Sequence, residues 1–165
     1  INHIDKPLNR SINDNILSPL NMTDTSFNGY NAAPTQVLED GSLIQERVHD
    51  QTAFALGGTA GNAGLFSSMR DLVRFVDGLL NNDSILSPQS RQLILKTNIG
   101  NRSYGWNRLD NNVLFHTGST GPLLHIDFEK KEALILLTNR TYPNRDNQTF
   151  IDQRDQLFNL YLKTK

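Results

Sequence analysis

The spacing of apolar residues changes near residue 103, and this change limits the possible folds more than any other feature of the sequence. Before it, apolar residues recur at helical intervals, as in residues 68–83. After it, Tyr104-Gly105-Trp106 reads as a short strand, and residues 124–128 alternate between apolar and polar. A fully apolar run covers residues 133–137 and suits a strand that is buried on both faces. Strands joined by short turns such as residues 129–131 pair as antiparallel neighbours. We therefore expect an α+β fold, with an antiparallel sheet of about three to four strands packed against helices.

Two helices in the first part of the chain are predicted from their N-terminal signals. Ser68 begins a capping-box-like sequence, and apolar residues follow at helical spacing until residues 81–83 end the pattern. Ser87 and Pro88 suit the N-cap and the first turn of a second helix. The predicted apolar face of this second helix consists of Leu86, Leu93 and Ile94.

Helices are also expected at both ends of the chain. Pro7 lies near the start of a helix predicted within residues 1–20, and Pro19 ends its pattern. Its apolar positions are Leu8, Ile12 and Ile16, extended backwards by Ile1 and Ile4. A C-terminal helix is predicted for residues 146–162, with candidate core residues Phe150, Leu157, Phe158, Leu160 and Tyr161. We expect one domain, in which residues 1–100 form helices and loops and residues 101–165 form the strands and this last helix.

The segment 23–60 has no hydrophobic period and is predicted to be irregular. His49 and Asp50 within it could act as a chemical pair, although a solvated polar turn explains them more simply. Four glycines between residues 57 and 64 lack the Gly-Lys-Ser/Thr ending of a phosphate-binding loop. Close packing of the backbone against the neighbouring helix is the better explanation for these glycines.

The most polar strand end of the chain lies at residues 115–121. The strand-like residues 113–115 run directly into His-Thr-Gly-Ser-Thr-Gly. Such an end can direct backbone N–H groups at an anion or at a carbonyl oxygen. The same residue types form ordinary hairpin loops, and His116 could equally be a structural residue at the end of the strand. This stretch alone leaves the two interpretations open.

Three further segments make the stretch more specific. Residues 17–27 read Leu-Ser-Pro-Leu-Asn-Met-Thr-Asp-Thr-Ser-Phe, and residues 61–68 with 71–75 read Gly-Asn-Ala-Gly-Leu-Phe-Ser-Ser and Asp-Leu-Val-Arg-Phe. They are similar to the "PLGM-DT-F" and "G-AGLFS---DL-RF" segments of the serine β-lactamase and penicillin-binding-protein superfamily, in its class C-like branch of β-lactamases, esterases and D-alanyl peptidases. His116-Thr117-Gly118 resembles the third active-site motif of that superfamily, and residues 137–144 resemble the strand end that follows it.

Two active-site motifs of the superfamily are missing from the chain. No serine has a lysine three residues later, so the nucleophilic Ser-x-x-Lys motif is absent. Tyr142-Pro143-Asn144 fits Tyr-x-Asn only formally, because it follows the third motif instead of preceding the residue 17–27 segment. The resemblance implies the C-terminal half of a β-lactamase/transpeptidase-like fold, without the half that carries the first two motifs.

The resemblance also implies roles for the third-motif residues. His116 takes the place usually held by lysine, Thr117 would bind a substrate carboxylate or join a proton relay, and Gly118 would let substrate lie against the strand. The backbone N–H of Ser119 would be an oxyanion-hole donor, and Asn144 would contact a substrate carboxylate. The parent protein would then be a serine hydrolase that transfers acyl groups from β-lactam, D-alanyl or ester substrates to serine, and this fragment would be inactive alone. The residues by themselves show no metal-ligand spacing among the four histidines, so we expect no metal and no other cofactor.

Charge and composition exclude several other classes of partner. The net charge is −1 and cysteine is absent, which excludes a basic surface for nucleic acid and all thiol chemistry. The superfamily resemblance implies a small-molecule or peptidyl acyl substrate and an extracytoplasmic or cell-envelope location for the parent protein. The alternative function is a non-catalytic binding or scaffold module with a penicillin-binding-protein-like fold.

The missing half has a structural consequence. In the superfamily the N-terminal segment contributes strands to the same sheet, and its removal would leave an unpaired edge beside the third-motif strand region. Unpaired strand edges pair readily with other chains. We therefore expect this chain to associate with the missing half or with a second copy through that edge.

Overall fold

The computed structural model describes residues 6–164 of the chain. Its helices and strands follow in the order α1 (Leu8–Ile12), β1 (Gln36–Val37), β2 (Leu43–Ile44), α2 (Gln51–Ala55), α3 (Met69–Asn81), α4 (Pro88–Lys96), β3 (Arg102–Ser103), β4 (Trp106–Asp110), β5 (Val113–Thr117), β6 (Leu123–Asp127), β7 (Glu132–Leu136) and α5 (Gln148–Lys163). A π-helical segment, Asn13–Leu17, continues α1 directly. The α+β fold class is confirmed.

Strands β3 to β7 form an antiparallel meander in chain order, with β5 at its centre. The open edges of the sheet therefore fall on β3 and β7. Since β6 lies between β5 and β7, the open edge on that side is one strand removed from the third motif, not directly beside it. The sequence predicted three to four strands, and the described residues form five in this sheet.

The additional strands come from a hairpin that the sequence pattern hid. Tyr104 and Gly105 were expected to lie in a strand, but both have positive φ, 40° and 87°, and form the two-residue turn between β3 and β4. Such φ values are typical of tight hairpin turns. Asn107 and Arg108 in β4 pair with Phe115 and Leu114 of β5. Their polar side chains broke the apolar alternation by which strands are predicted.

The two faces of the sheet are covered by different helices. On one face, Ile126 of β6 is fully buried against Val76 and Leu80 of α3. On the other face, the next residue in the alternation, His125, contacts the Phe158 ring of α5 edge-on at 5.4 Å between centroids. Because successive side chains of a strand point to opposite faces, β6 contacts α3 with one side chain and α5 with the next.

The helix predictions succeeded where capping residues were clear. Ser68 caps α3 by accepting a hydrogen bond from the Asp71 N–H, and Ser87 caps α4 in the same way from the Ser90 N–H. The predicted N-terminal helix is found as α1 and the π-helical segment, with Pro7 at the N-cap. Ile1 and Ile4 lie outside the described residues.

Three predictions of buried or irregular residues are wrong. Leu157 and Leu160 in α5, two candidate core residues, are 50% and 60% exposed, and Leu93 on the predicted apolar face of α4 is 54% exposed. Residues 23–60 are not irregular throughout, because they contain the β1–β2 hairpin and α2. The run at 133–137 is not buried on both faces, since β7 is an edge strand of intermediate exposure.

Candidate active site

The site is built around the hairpin loop between β5 and β6. The Gly118 N–H donates to the Pro122 carbonyl at 2.8 Å and closes the hairpin, and the Gly121 N–H donates to the Gly118 carbonyl at 3.0 Å. The second bond makes residues 118–121 a β-turn. Ser119 and Thr120, its central residues, have no positive φ, whereas Gly121 has φ +119°. This combination is typical of a type I turn followed by glycine.

The turn leaves two backbone N–H groups without an acceptor among residues 6–164, those of Ser119 and Thr120. The Gly118 carbonyl points into the turn toward the Gly121 N–H, and in a trans peptide the following N–H points the opposite way. The Ser119 N–H is therefore directed out of the turn, and no described residue accepts a hydrogen bond from it. An exposed, oriented and unpaired backbone N–H is suited to hold a substrate oxygen.

His116 and Thr117 lie side by side on β5 but on opposite faces of the sheet. His116 pairs with Leu124, whose side chain packs on the α3 face. Thr117 pairs with Leu123, which lies on the α5 face in alternation with Leu124. The His116 side chain is exposed and has no hydrogen-bond partner among residues 6–164. The histidine is therefore accessible to a ligand on the α3 face.

A single residue holds both central carbonyls of the turn. Arg140 lies four residues after β7, where its backbone N–H donates to the Thr120 carbonyl at 2.8 Å. Its side-chain Nε donates to the Ser119 carbonyl, also at 2.8 Å, and its Nη1 donates to the Arg145 carbonyl at 3.3 Å. The sequence marked Arg140 only as part of the segment that follows the third motif. No local pattern shows a contact across 21 residues.

Two glycines of the loop lie close to neighbouring atoms. A Cβ on Gly121 would lie 2.5 Å from Thr138 Oγ1 and 3.3 Å from the Arg140 N atom. A Cβ on Gly118 would lie 3.2 Å from Pro122 Cδ. At Gly121 the loop thus lies flush against the segment after β7. At Gly118 a Cβ would need the Pro122 ring to shift by a few tenths of an ångström, so packing there favours glycine without requiring it.

Asn144 lies in the segment after β7 and is exposed. Its Oδ1 accepts a hydrogen bond from the Asp146 N–H at 3.1 Å, so this oxygen belongs to a local turn before α5. The neighbouring carbonyl, on Arg145, receives Arg140 Nη1. Arg140 therefore bonds the residue next to Asn144 to the third-motif loop, the name we give to residues 116–121. Its role in binding a carboxylate stays a prediction, as do the roles of His116, Thr117, Gly118 and Ser119.

The two other family-like segments contact each other and form a structural cluster. Asp71, fully buried at the start of α3, accepts hydrogen bonds from the Asp24 N–H at 2.7 Å and from the Thr25 hydroxyl at 2.8 Å. Arg74 donates to the other carboxylate oxygen of Asp71 at 3.2 Å. We call Asp24, Thr25, Asp71 and Arg74 the Asp71 cluster. It fixes the residue 17–27 segment to α3.

The sequence pair His49-Asp50 is divided between two partners. Asp50 caps α2 by accepting the Ala53 N–H at 2.8 Å, and this bond lowers the pKa of its carboxyl group. His49 Nε2 bonds to Gln36 Oε1 at 2.8 Å. Burial and the nearby cations of Arg145 and Arg140 lower the pKa of His49. These separate bonds favour a structural role over a catalytic pair.

The glycines before α3 do not pack as expected. A Cβ on Gly64 would lie 2.0 Å from the Gly58 carbonyl oxygen, so the close approach is to another loop residue and not to a helix. A Cβ on Gly57, Gly58 or Gly61 would meet no atom within 4 Å.

Among residues 6–164, no group of three or more His, Asp or Glu side chains is arranged to hold a metal ion, and no helix is long and apolar enough to cross a membrane.

Comparison with known families agrees with the resemblance. The Beta-lactamase family model matches residues 3–157, which is most of the chain. The chain therefore belongs to the Beta-lactamase family. It shares the fold of EstCE1, a hydrolase with promiscuous acyltransferase activity, with a TM-score of 0.57 and 18% identity over 91% of this chain and 50% of that one. Simvastatin synthase (LovD) from Aspergillus terreus has the same fold, with a TM-score of 0.52 and 19% identity over 90% of this chain and 50% of that one.

Curated relatives include a protein named as a carboxypeptidase and one named as an amidase. A putative D-alanyl-D-alanine carboxypeptidase of Escherichia coli O157:H7 is 26% identical over 178 residues, covering 83% of this chain and 41% of the relative. An N-acetylmuramyl-L-alanine amidase of Bacillus subtilis strain 168 is 28% identical over 122 residues, covering 61% and 28%. The chain thus spans about two fifths of the length of the carboxypeptidase relative.

Proposed function

We propose that this chain supplies one wall of a serine acyl-transfer site. The protein that contains it would transfer an acyl group from a β-lactam, D-alanyl or ester substrate to a serine outside this chain, and then to water or another acceptor. The observation that carries the proposal is the Ser119 N–H, which is exposed, oriented by its turn and without an acceptor among the described residues. The name of the D-alanyl-D-alanine carboxypeptidase relative supports a D-alanyl substrate.

The proposed chemistry assigns separate tasks to neighbouring residues. The serine oxygen adds to the acyl carbonyl and loses its proton to a base outside this chain, and negative charge develops on the carbonyl oxygen. The Ser119 N–H hydrogen-bonds this oxygen in the transition state. His116 donates a hydrogen bond near the reacting centre on the α3 face, and the leaving group departs with a proton. Without the serine and its base, this chain retains only binding contacts and is inactive alone.

The unpaired edge of β7 is the proposed attachment point for a further strand. The Phe128 N–H donates to the Asn112 carbonyl at 2.9 Å. Because the main-chain groups of successive residues in a strand point to opposite neighbours, the even-numbered residues of β6 bond to β5 and the odd-numbered residues bond to β7. His125 pairs with Leu134 in this register, which leaves the main-chain groups of Ala133 and Ile135 directed away from the sheet. We propose that this edge pairs with the half that carries the serine or, when the chain is isolated, with a second copy. A strictly monomeric chain by light scattering would contradict pairing between copies.

Covalent labelling tests the proposed activity. A fluorescent penicillin and a fluorophosphonate are incubated with this chain and with a protein that joins it to its preceding coding sequence, and intact mass is measured. We expect an adduct only on the longer protein, on a serine outside residues 1–165. An adduct on this chain would overturn the assignment of the nucleophile. No adduct on either would favour the non-catalytic binding module.

Two substitutions at one position test the oxyanion role. Ser119→Pro removes the N–H, and proline suits the second position of a type I turn, so the loop should keep its shape. We expect kcat of the longer protein to fall by about 10²–10³-fold, as it does when one oxyanion-hole donor is removed. Ser119→Ala keeps the N–H and serves as the control, with kcat within about twofold of the wild type. Equal rates in the two variants would contradict the proposal.

A further inference from the structure

We propose that Arg140 is a positioning residue of the acyl-transfer site, because it fixes the turn that presents the Ser119 N–H. This inference rests on the proposed function for its kinetic consequence. Its structural part, the fixation of the turn by the Arg140 side chain, can be tested on the chain alone. Nothing in the resemblance assigns a role to this arginine.

The first step of the argument is the geometry of the peptide groups. The orientation of the Ser119 N–H depends on the peptide between Gly118 and Ser119, whose carbonyl is bonded by the Gly121 N–H at 3.0 Å. The next peptide carbonyl, that of Ser119, is bonded by Arg140 Nε at 2.8 Å. These two bonds fix the peptides on both sides of the Ser119 Cα atom. Rotation of Ser119 that would turn its N–H away from the substrate must break one of them.

The second step is that Arg140 is itself anchored. The Asn139 side chain donates to the Pro34 carbonyl, and the Pro143 carbonyl accepts the Val37 N–H at 2.8 Å. The segment after β7 is therefore bonded to the β1 region before and after Arg140. The guanidinium also bonds the Arg145 carbonyl through Nη1 at 3.3 Å. A donor held at this many points loses little further entropy when it orders the turn.

The third step separates the side chain from the backbone of Arg140. The backbone N–H bonds the Thr120 carbonyl and survives any substitution except proline. Of the two bonds from Arg140 to the turn, only the one to the Ser119 carbonyl depends on the guanidinium. Arg140→Gln also removes the bond to the Arg145 carbonyl, which lies outside the turn. Within the turn it should leave the hairpin attached and release only the peptide next to the oxyanion donor. This separation makes a selective loss of kcat possible without a loss of fold.

The structural test uses amide hydrogen exchange on this chain. In Arg140→Gln we expect the Gly121 N–H to exchange at least about fivefold faster, because its bond to Gly118 is then easier to open. Amides of β6 should be unchanged and report that the variant is folded. Arg102→Gln is the matched control, since its guanidinium bonds an exposed side chain, Asn107, outside the loop. Unchanged protection of Gly121 in Arg140→Gln would overturn the positioning role.

The kinetic test uses the longer protein and an activated ester. We expect Arg140→Gln to lower kcat about 10- to 100-fold with little change in KM, because misplacement of a transition-state donor leaves ground-state binding intact. Arg140→Lys keeps the positive charge but lacks the Nε donor, and we expect it to restore less than half of the lost activity. Full restoration by lysine would show that charge alone is sufficient and would overturn the proposal. If the wild-type protein shows no acylation, the proposed function fails, while the exchange result still decides whether Arg140 fixes the turn.

Discussion

The Asp71 cluster and the third-motif loop are both polar and both belong to family-like segments, yet they treat their hydrogen-bonding groups in opposite ways. In the cluster, the carboxylate of Asp71 is fully buried and accepts from a backbone N–H, a hydroxyl and a guanidinium. In the loop, the Ser119 N–H and the His116 side chain have no partner among the described residues. Groups that are paired internally stabilise the fold, whereas groups that are fixed but unpaired remain available to a ligand.

The Asp71 cluster gives the largest expected effect on stability. Asp71→Ala removes a buried acceptor and leaves the Asp24 N–H and the Thr25 hydroxyl without it. We expect the free energy of unfolding to fall by about 3 kcal/mol, because the Asp24 N–H loses its acceptor, the Thr25 hydroxyl retains the Ser67 hydroxyl alone, and Arg74 loses its counter-charge. Urea denaturation followed by circular dichroism measures the change.

A control for this prediction lies on the same helix. Asp77 is exposed, and its side chain contacts Asn81 Nδ2 at 2.9 Å on the same surface. Asp77→Ala should lower the free energy of unfolding by less than about 0.5 kcal/mol, as surface substitutions generally do. Similar losses in both variants would mean that the buried cluster stabilises the fold no more than an exposed polar contact does, which would contradict the comparison.

The third-motif loop should be rigid although the Ser119 N–H and the His116 side chain have no partner among the described residues. The variant Gly121→Ala tests this rigidity. Gly121 has φ +119°, and a Cβ there would lie 2.5 Å from Thr138 Oγ1. Backbone strain and this contact together should lower the free energy of unfolding by about 2 kcal/mol or more.

Gly41→Ala is the matched control for the loop. Gly41 also has positive φ, +81°, but a Cβ there would meet no atom within 4 Å. It should show only the conformational cost, about 1 kcal/mol. The difference between the two variants measures how tightly the loop packs against the segment after β7. A zero difference would indicate that the loop can shift, and the fixed orientation of the Ser119 N–H would then be in doubt.

The sequence predicted those parts of the molecule that local chemistry determines. Ser68 and Ser87 showed where α3 and α4 begin, because an N-cap acts within one helical turn. The β3–β4 hairpin was not predicted, since pairing with β5 fixes it and the polar residues of β4 carry no alternating pattern. The exposure of Leu157 and Leu160 was missed because α5 is apolar around much of its circumference and sequence alone does not decide which face contacts the sheet.

The candidate site divides in the same way. The residues from His116 to Ser119 were found because they are contiguous in sequence and resemble a family motif. Arg140 contacts the loop across 21 residues, and this contact exists only after β6 and β7 have formed. The direction of the Ser119 N–H likewise depends on the turn geometry and not on the residue type. Sequence therefore located the loop but could not show what fixes it or which of its donors stay free.

His125 is a third kind of polar group, and it gives the smallest predicted effect. It is buried, and neither of its ring nitrogens has a hydrogen-bond partner among residues 6–164. The ring lies edge-on to Phe158 and Tyr161 of α5 at 5.4 and 5.5 Å between centroids. Burial lowers the pKa of His125 from its ordinary value of 6.5, and the charge of Asp127 opposes this only in part. The neutral form is therefore the one that the folded protein favours.

The sign of the resulting pH dependence follows from this pKa. Because the pKa is lower in the folded state, the unfolded chain binds more protons at and below pH 6.5. The contribution of the neutral ring to stability is complete well above pH 6.5 and is lost as the pH falls through and below that value. His49 has a lowered pKa too and acts in the same direction, so wild type must be compared with His125→Phe. We expect the variant, measured by urea denaturation between pH 8 and 5, to lose less stability on acidification than the wild type. If the stabilities of the wild type and the variant fell in parallel with pH, protonation of His125 would cost the folded state nothing. The charged imidazole would then gain a hydrogen-bond partner or a water molecule in its buried position.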